Sequence, residues 1–187
     1  MDERKLDLPN AIVYVVSNYD RGNKLTFDYL RDHLPWQHDI DFPDRPICNM
    51  GIDYISTSNK LRKAKPLDLY VFEFMQTLNS IFNVAMNSCV AVFFQNGNAL
   101  LLSRNDTDSQ VGLAHPSFTM SFGTPRKITF INIHSGEEYD FLLIDGDLII
   151  ISDDLRHHYS YTIKKSTQYT EPAISLVFRR LPDGAIF

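Results

Sequence analysis

Eight short segments in the second half of the chain decide most of what it can fold into. Residues 89–94, 99–102, 117–122, 127–133, 139–144, 147–151, 159–163 and 173–178 are rich in β-branched and aromatic side chains, and several alternate apolar with polar. Turn residues separate most of them: Asn96-Gly97-Asn98, Gly123-Thr124-Pro125, Ser135-Gly136 and Asp145-Gly146. Successive side chains of a strand point to opposite faces, so each such sheet needs a partner to cover its apolar face. Eight strands in succession therefore predict a β-sandwich or a double-stranded β-helix.

The first half reads as helices and loops. Residues 11–16 form a strand, Asn18 to Asn23 supply turn chemistry, and Leu25, Phe27, Tyr29 and Leu30 begin a helix that Pro35-Trp36 ends. Residues 42–65 hold Pro43, Pro46 and Gly51 and read as an ordered loop with one short strand near residues 52–55. That stretch closes on Lys60-Leu61-Arg62-Lys63-Ala64-Lys65, the most basic patch in the chain. Pro66 then opens the clearest helix, with Leu67, Tyr70, Val71, Phe74, Leu78 and Phe82 at helical spacing. The expectation is an α+β protein of one domain, 1–187, with N-terminal helices packed on one sheet and a division at residue 65.

Composition sets limits on function. At 187 residues with 44% hydrophobic and 12% aromatic content, the chain has material for one packed core. No apolar run approaches the roughly 20 residues of a spanning helix, and Met1 to Lys5 is charged with no apolar stretch after it. An intracellular protein, cytoplasmic or nuclear, is expected. The net charge of -5 argues against a coat held on nucleic acid by bulk charge, while leaving room for a local basic groove. Cys48 and Cys89 sit among apolar residues and read as buried free thiols.

The strand region carries a more specific pattern. Ser121-Phe122-Gly123 precedes Arg126 to Phe130, then come Asp145-Gly146-Asp147-Leu148-Ile149-Ile150-Ile151 and Ile174-Ser175-Leu176-Val177-Phe178-Arg179. Upstream, Leu34-Pro35-Trp36, Arg45-Pro46, Gly51-Ile52-Asp53-Tyr54 and Asn87-Ser88-Cys89 to Asn96-Gly97 follow in order. This ordered set resembles the AlkB family of iron(II) and 2-oxoglutarate-dependent dioxygenases, which demethylate nucleobases. The resemblance runs from about Leu8 to Arg179.

An active member would hold iron with two histidines and one carboxylate. The resemblance puts the H-x-D positions at Arg104-Asn105-Asp106 and the distal histidine at Tyr161, so only the carboxylate of Asp106 matches. A guanidinium has no lone pair to give a metal, although Arg104 can pair with Asp106. The 2-oxoglutarate positions fare similarly: the first arginine corresponds to Ala173, the Asn-x-Tyr pair to Val92 and Phe94, and only Arg179 remains. The six histidines, His33, His38, His115, His134, His157 and His158, include no H-x-D or H-x-E. Asp106 with His157, four residues before Tyr161, is a two-point remnant if the strand is regular. Otherwise His157-His158 reads as one packed and one solvated residue on a strand, Asp153-Asp154 as a turn or cap, and the polar 103–109 segment as a solvated loop.

In the family, the segment before the central helix belongs to a lid that grips nucleic acid and flips a base. Tyr54 matches a recurrent lid tyrosine, and Ser56 replaces a neighbouring aromatic. Lys60, Arg62, Lys63 and Lys65, with Lys24, are the candidates for contacting nucleic acid; a solvated basic loop is the plainer reading. Arg126-Lys127, Lys164-Lys165 and Arg179-Arg180 read as strand-end charges. There is no G-x-S-x-G and no Gly-rich phosphate loop.

The sequence thus points to a catalytically inactive AlkB-like pseudoenzyme without metal or cofactor, serving as a scaffold that binds protein, RNA or DNA. A complex subunit and a virus-encoded accessory protein both fit, and the oligomeric state is open. The alternative is an active iron(II)/2-oxoglutarate dioxygenase with an unusual triad; a third reading is a structural protein that oligomerises through exposed aromatics.

Overall fold

A computed structural model describes residues 2–19, 25–39, 42–55, 61–104 and 115–182. All eight segments of the second half are strands: β7 (Ser88–Phe94), β8 (Leu101–Arg104), β9 (Ser117–Gly123), β10 (Arg126–Asn132), β11 (Glu138–Leu143), β12 (Leu148–Ile151), β13 (Tyr159–Ile163) and β14 (Ala173–Arg179). Before them lie β1 (Asp2–Leu8), β2 (Ala11–Ser17), α1 (Phe27–His33), β3 (Gln37–Asp39), β4 (Phe42–Met50), β5 (Tyr54–Ile55), β6 (Leu61–Arg62) and α2 (Leu69–Phe82), and α3 (Asp153–His158) sits between β12 and β13.

The strands form a large sheet in the order β1-β2-β12-β9-β14-β7-β4-β3 and a smaller sheet in the order β11-β10-β13-β8, with β5 and β6 as a separate hairpin. The ladders that build the two sheets are antiparallel. Alternate residues of the large sheet feed two cores. On one face Cys48, Met50, Cys89, Ala91, Phe118, Met120, Phe122, Ile174, Leu176 and Phe178 pack beneath the helices, against Leu30 of α1 and Val71, Phe74, Met75 and Leu78 of α2. On the other, Val13, Val15, Val92, Phe94, Ile149, Ile151 and Ala173 meet Ile128, Phe130, Tyr161 and Ile163 of the small sheet. This is the jelly roll with helices on one sheet that the sequence predicts.

The small sheet turns its other face to water. Thr129 donates to Asp140 at 2.7 Å, and Lys127 and Lys164 pair with Asp140 and Glu138. Polar residues outside and apolar residues inside give the alternation expected of a half-buried antiparallel sheet.

Two expectations change, and one strand is added. In the 42–65 stretch the short strand expected near residues 52–55 is β5, but residues 42–50 are strand rather than loop: β4 continues the large sheet, pairing with β7 from Ile47 to Met50. Pro43 and Pro46 lie before that ladder, where no β7 partner needs their missing amides. The second helix begins at Leu69 rather than at Pro66, because Asp68 caps it by accepting from the Tyr70 and Val71 amides, and Asn83 ends it in the left-handed region at φ 49°. β1, the charged segment Asp2 to Leu8, pairs along its whole length with β2.

Two glycines fix connections near the inter-sheet space. A Cβ on Gly97 would lie 2.1 Å from the Ser166 carbonyl, and one on Gly51 (φ +100°) 2.3 Å from the Asn87 carbonyl. Each is a close approach of two backbones that only glycine permits.

Candidate functional site

The register shows which predicted positions meet. Phe94 lies opposite Ala173, Val92 opposite Ser175, and Val90 opposite Val177. Tyr161 lies opposite Phe130 on one side and Arg104 on the other. Val92, Phe94, Ala173 and Tyr161 therefore share the inter-sheet cluster, with Phe94 1% and Tyr161 9% exposed. Asp106 falls outside the described residues, so the structure does not speak to its pairing with Arg104. Arg179 stands at the end of β14 across from Ser88, buried and already making an interaction.

The described residues do not fit iron(II) or 2-oxoglutarate at these positions. A valine, a phenylalanine and an alanine have no lone pair for a metal and no charge for a carboxylate, and a buried dicarboxylate without charge partners carries a penalty of several kcal/mol. Among the described residues no three His, Cys, Asp or Glu side chains gather as a metal group.

His157 and His158 are on a helix, not a strand. Ser152 accepts from the Leu155 amide and Asp153 and Asp154 open α3, so the acidic pair starts a helix instead of a turn. Helix α3 carries the chain from the large sheet to the small one. It buries Leu155 and Arg156 and leaves His157 exposed, whereas Tyr161 on β13 is buried in the inter-sheet cluster. The remnant of Asp106 with His157 thus loses the regular strand it required. His158 instead lies 6.3 Å, ring to ring, from His134.

One feature of this face escaped the sequence reading. In the row next to Val92 and Ser175, the cross-strand neighbours Val90, Val177 and Thr119 are reached by solvent although they occupy central strands. They are half-buried rather than exposed, and Val90 still packs against the inter-sheet core. Ser121 and Ser175, paired across β9 and β14, are buried in the adjacent row. Counting two residues along each strand from Val92 or Arg179 would have found this row; its bland composition gave no reason to look.

Buried cations outnumber buried acids among the described residues. Arg45, Arg126, Arg156 and Arg179 are buried, against one buried acid, Asp147, among the described residues. Asp147 accepts from Arg4 and from the Ile144 amide. Arg126 stands at a strand end, as the first residue of β10, but it is buried: it donates to the carbonyls of Pro125, Tyr169 and Glu171, and its guanidinium lies 5.9 Å from the Phe94 ring centre. Burial lowers its pKa. Arg156 donates to the His115 carbonyl. Arg126 and Arg156 are thus held by backbone carbonyl dipoles.

The basic segment forms the hairpin of β5 and β6, where Tyr54 lies opposite Arg62. It is anchored to β4: Lys65 donates its amide to the Asn49 carbonyl, Gly51 to the Lys65 carbonyl, and the Tyr54 hydroxyl to Asn49 Oδ1 at 3.3 Å. Asp53 accepts from the Ala64 amide at 2.7 Å. Lys63 and Lys65 are exposed and Arg62 half-buried, while Lys24 and Lys60 fall outside the described residues. Cys48 and Cys89 are buried free thiols as expected; burial pushes Cys48 up to about 11 and Cys89 well above its ordinary value. Among the described residues no helix is long and apolar enough to cross a membrane.

No family model and no curated protein matches the sequence. Solved structures do. The structure of OsALKBH1 superimposes with a TM-score of 0.63 at 12% identity, covering 95% of this chain and 100% of that one. A crystal structure of an oxidoreductase of the 2OG-Fe(II) oxygenase family from Burkholderia pseudomallei gives 0.56 at 11% identity, covering 82% of this chain and 75% of that one. Two sheets of this order with helices on one of them: the chain has the AlkB-like 2-oxoglutarate oxygenase fold.

Proposed function

We propose that this chain is a non-catalytic AlkB-like protein that uses the fold as a binding and scaffolding module. The observation that carries the reading is the packing of Val92, Phe94, Ala173 and Tyr161 into one apolar cluster where the family would place polar ligands. Substitution at one position is drift; four that pack on one another form a core. A rebuilt dioxygenase site would need new donors, and the exposed His157 on α3 does not supply one to this cluster. Calorimetry with iron(II) and 2-oxoglutarate tests the reading. No saturable heat and no succinate release are expected; micromolar affinity for both would overturn it.

The partner in this proposal is a protein or an RNA or DNA segment, met at the anchored basic hairpin. Reversing the charge of Arg62, Lys63 and Lys65 separates the two classes. A nucleic-acid partner predicts salt-sensitive RNA or DNA affinity that falls in the variant, since each phosphate contact adds to the salt slope. Affinity that ignores both salt and the reversal would remove the hairpin from the site.

A further inference from the structure

Two histidines meet at one end of the small sheet. His134 lies in the turn between β10 and β11, and His158 is the last residue of α3, where the chain enters β13. Their ring centres are 6.3 Å apart, with the planes at 63°. His134 is exposed and His158 half-buried, and among the described residues no hydrogen bond engages either imidazole. His33, by contrast, stacks on Tyr29 with its Nδ1 3.0 Å from the Tyr29 carbonyl.

The backbone under both rings is fixed. Asn132 lies opposite Tyr159 in the β10–β13 ladder, and the Ile133 amide donates to the His158 carbonyl at 2.9 Å, which locks the two segments in register. The Asn132 side chain accepts from the His134 and Ser135 amides, and the Gly136 amide closes the turn on the Asn132 carbonyl. A pinned main chain carrying two free rings leaves little ordering to lose when both bind one ion.

The spacing suits a shared metal. A nitrogen-to-metal distance of about 2.1 Å puts the centre of a bound imidazole about 3.2 Å from the ion, so two rings on one ion stand roughly 5 Å apart in a tetrahedral and up to about 6.4 Å in a linear arrangement. The observed separation falls inside that span, and a turn of the exposed His134 ring closes it toward the tetrahedral value. Among the described residues no third His, Cys, Asp or Glu joins the pair; Glu137 of the same turn accepts instead from Ser135 and Tyr139. Imidazole donors select zinc(II), nickel(II) or copper(II) over magnesium and calcium, which take oxygen ligands.

We propose that His134 and His158 form a two-point site for a transition-metal dication, with water in the remaining positions, that clips the β10–β11 turn to the start of β13. The site shares no residue with the cluster of Val92, Phe94, Ala173 and Tyr161 and does not depend on the non-catalytic reading.

The test follows the histidine ring resonances of the full chain by NMR during titration with zinc chloride or magnesium chloride, with thermal melting in parallel. Zinc is expected to shift the His134 and His158 rings together and saturably, and to raise the melting temperature, as an ion that prefers the folded state must. Magnesium is expected to do neither. His134→Ala and His158→Ala should each weaken zinc binding by about tenfold or more and remove the melting shift. His157→Ala, one residue away, should leave both intact. Binding that survives the first two substitutions, is lost with the third, or is matched by magnesium would overturn the proposal, as would the lack of a saturable shift at millimolar zinc. In the double variant lacking both rings, iron(II) with 2-oxoglutarate reports on the inter-sheet space alone, so a failure of the non-catalytic reading is seen separately from a failure of this site.

Discussion

Asp140 shows how single residues hold the water-facing side of the small sheet. The hydrogen bond from Thr129, helped by Lys127, holds its carboxyl below the usual range. A carboxyl depressed in the folded state adds stability above its unfolded pKa of about 4, and that contribution is lost as pH falls through the folded value. Asp140→Asn should therefore flatten the acid limb of a melting-temperature profile between roughly pH 5 and pH 2 while changing little at neutrality. The effect is small because the side chain is half exposed to solvent. An unchanged acid limb would show that the Thr129 contact is idle. Tyr29 is bound differently: burial and its bond to Asp68 push it up to about 12. Its hydroxyl thus stays a donor to Asp68 at any ordinary pH.

That bond links the residue to its helix. Asp68 caps α2 with one carboxylate oxygen and accepts from Tyr29 of α1 with the other, so one side chain ties both helices together over the large sheet. Asp68→Ala should cost about 1 kcal/mol for the cap and somewhat more for the lost Tyr29 contact, read by denaturant unfolding; Tyr29→Phe should recover only the second part. A loss confined to a few tenths would mean that core packing alone fixes the helix start. Elements like α2 were legible because Val71, Phe74 and Leu78 keep helical spacing, and β7 to β14 because their period is two. β4 was not, since Pro43 and Pro46 speak against a strand in any window that cannot see where pairing begins. Helix α3 hid for a different reason. It is six residues long, its two histidines invited a strand reading, and only the Ser152-Asp153-Asp154 start betrayed it. β1 shows the reverse case: its charges suit an edge strand, but nothing local says that Leu6 and Leu8 will join the inter-sheet core.

At the scale of the molecule, the same apolar cluster decides both stability and function. The resemblance located its members in the sequence, yet only the register showed Phe94 opposite Ala173 and Tyr161 opposite Phe130, so that losses scattered over 82 residues of chain become one packed interior. The half-buried row of Val90, Val177 and Thr119 beside it stayed invisible because valine and threonine in strands are ordinary. A ligand pocket and a core respond oppositely to truncation. In an enzyme of this fold, a side chain at the Phe94 position would face bound co-substrate, and removing it would cost activity more than stability. Here Phe94 is 1% exposed beneath the Arg126 guanidinium, so Phe94→Ala should destabilise the whole protein by about 3–5 kcal/mol, the cost of a large core truncation. Val177→Ala on the half-buried row should cost less, because solvent already reaches that side chain. Denaturant unfolding of the two variants compares them directly. Equal and small losses would mean that Phe94 is no more a part of a packed core than the half-buried Val177, and the space between the sheets would again have room for a co-substrate.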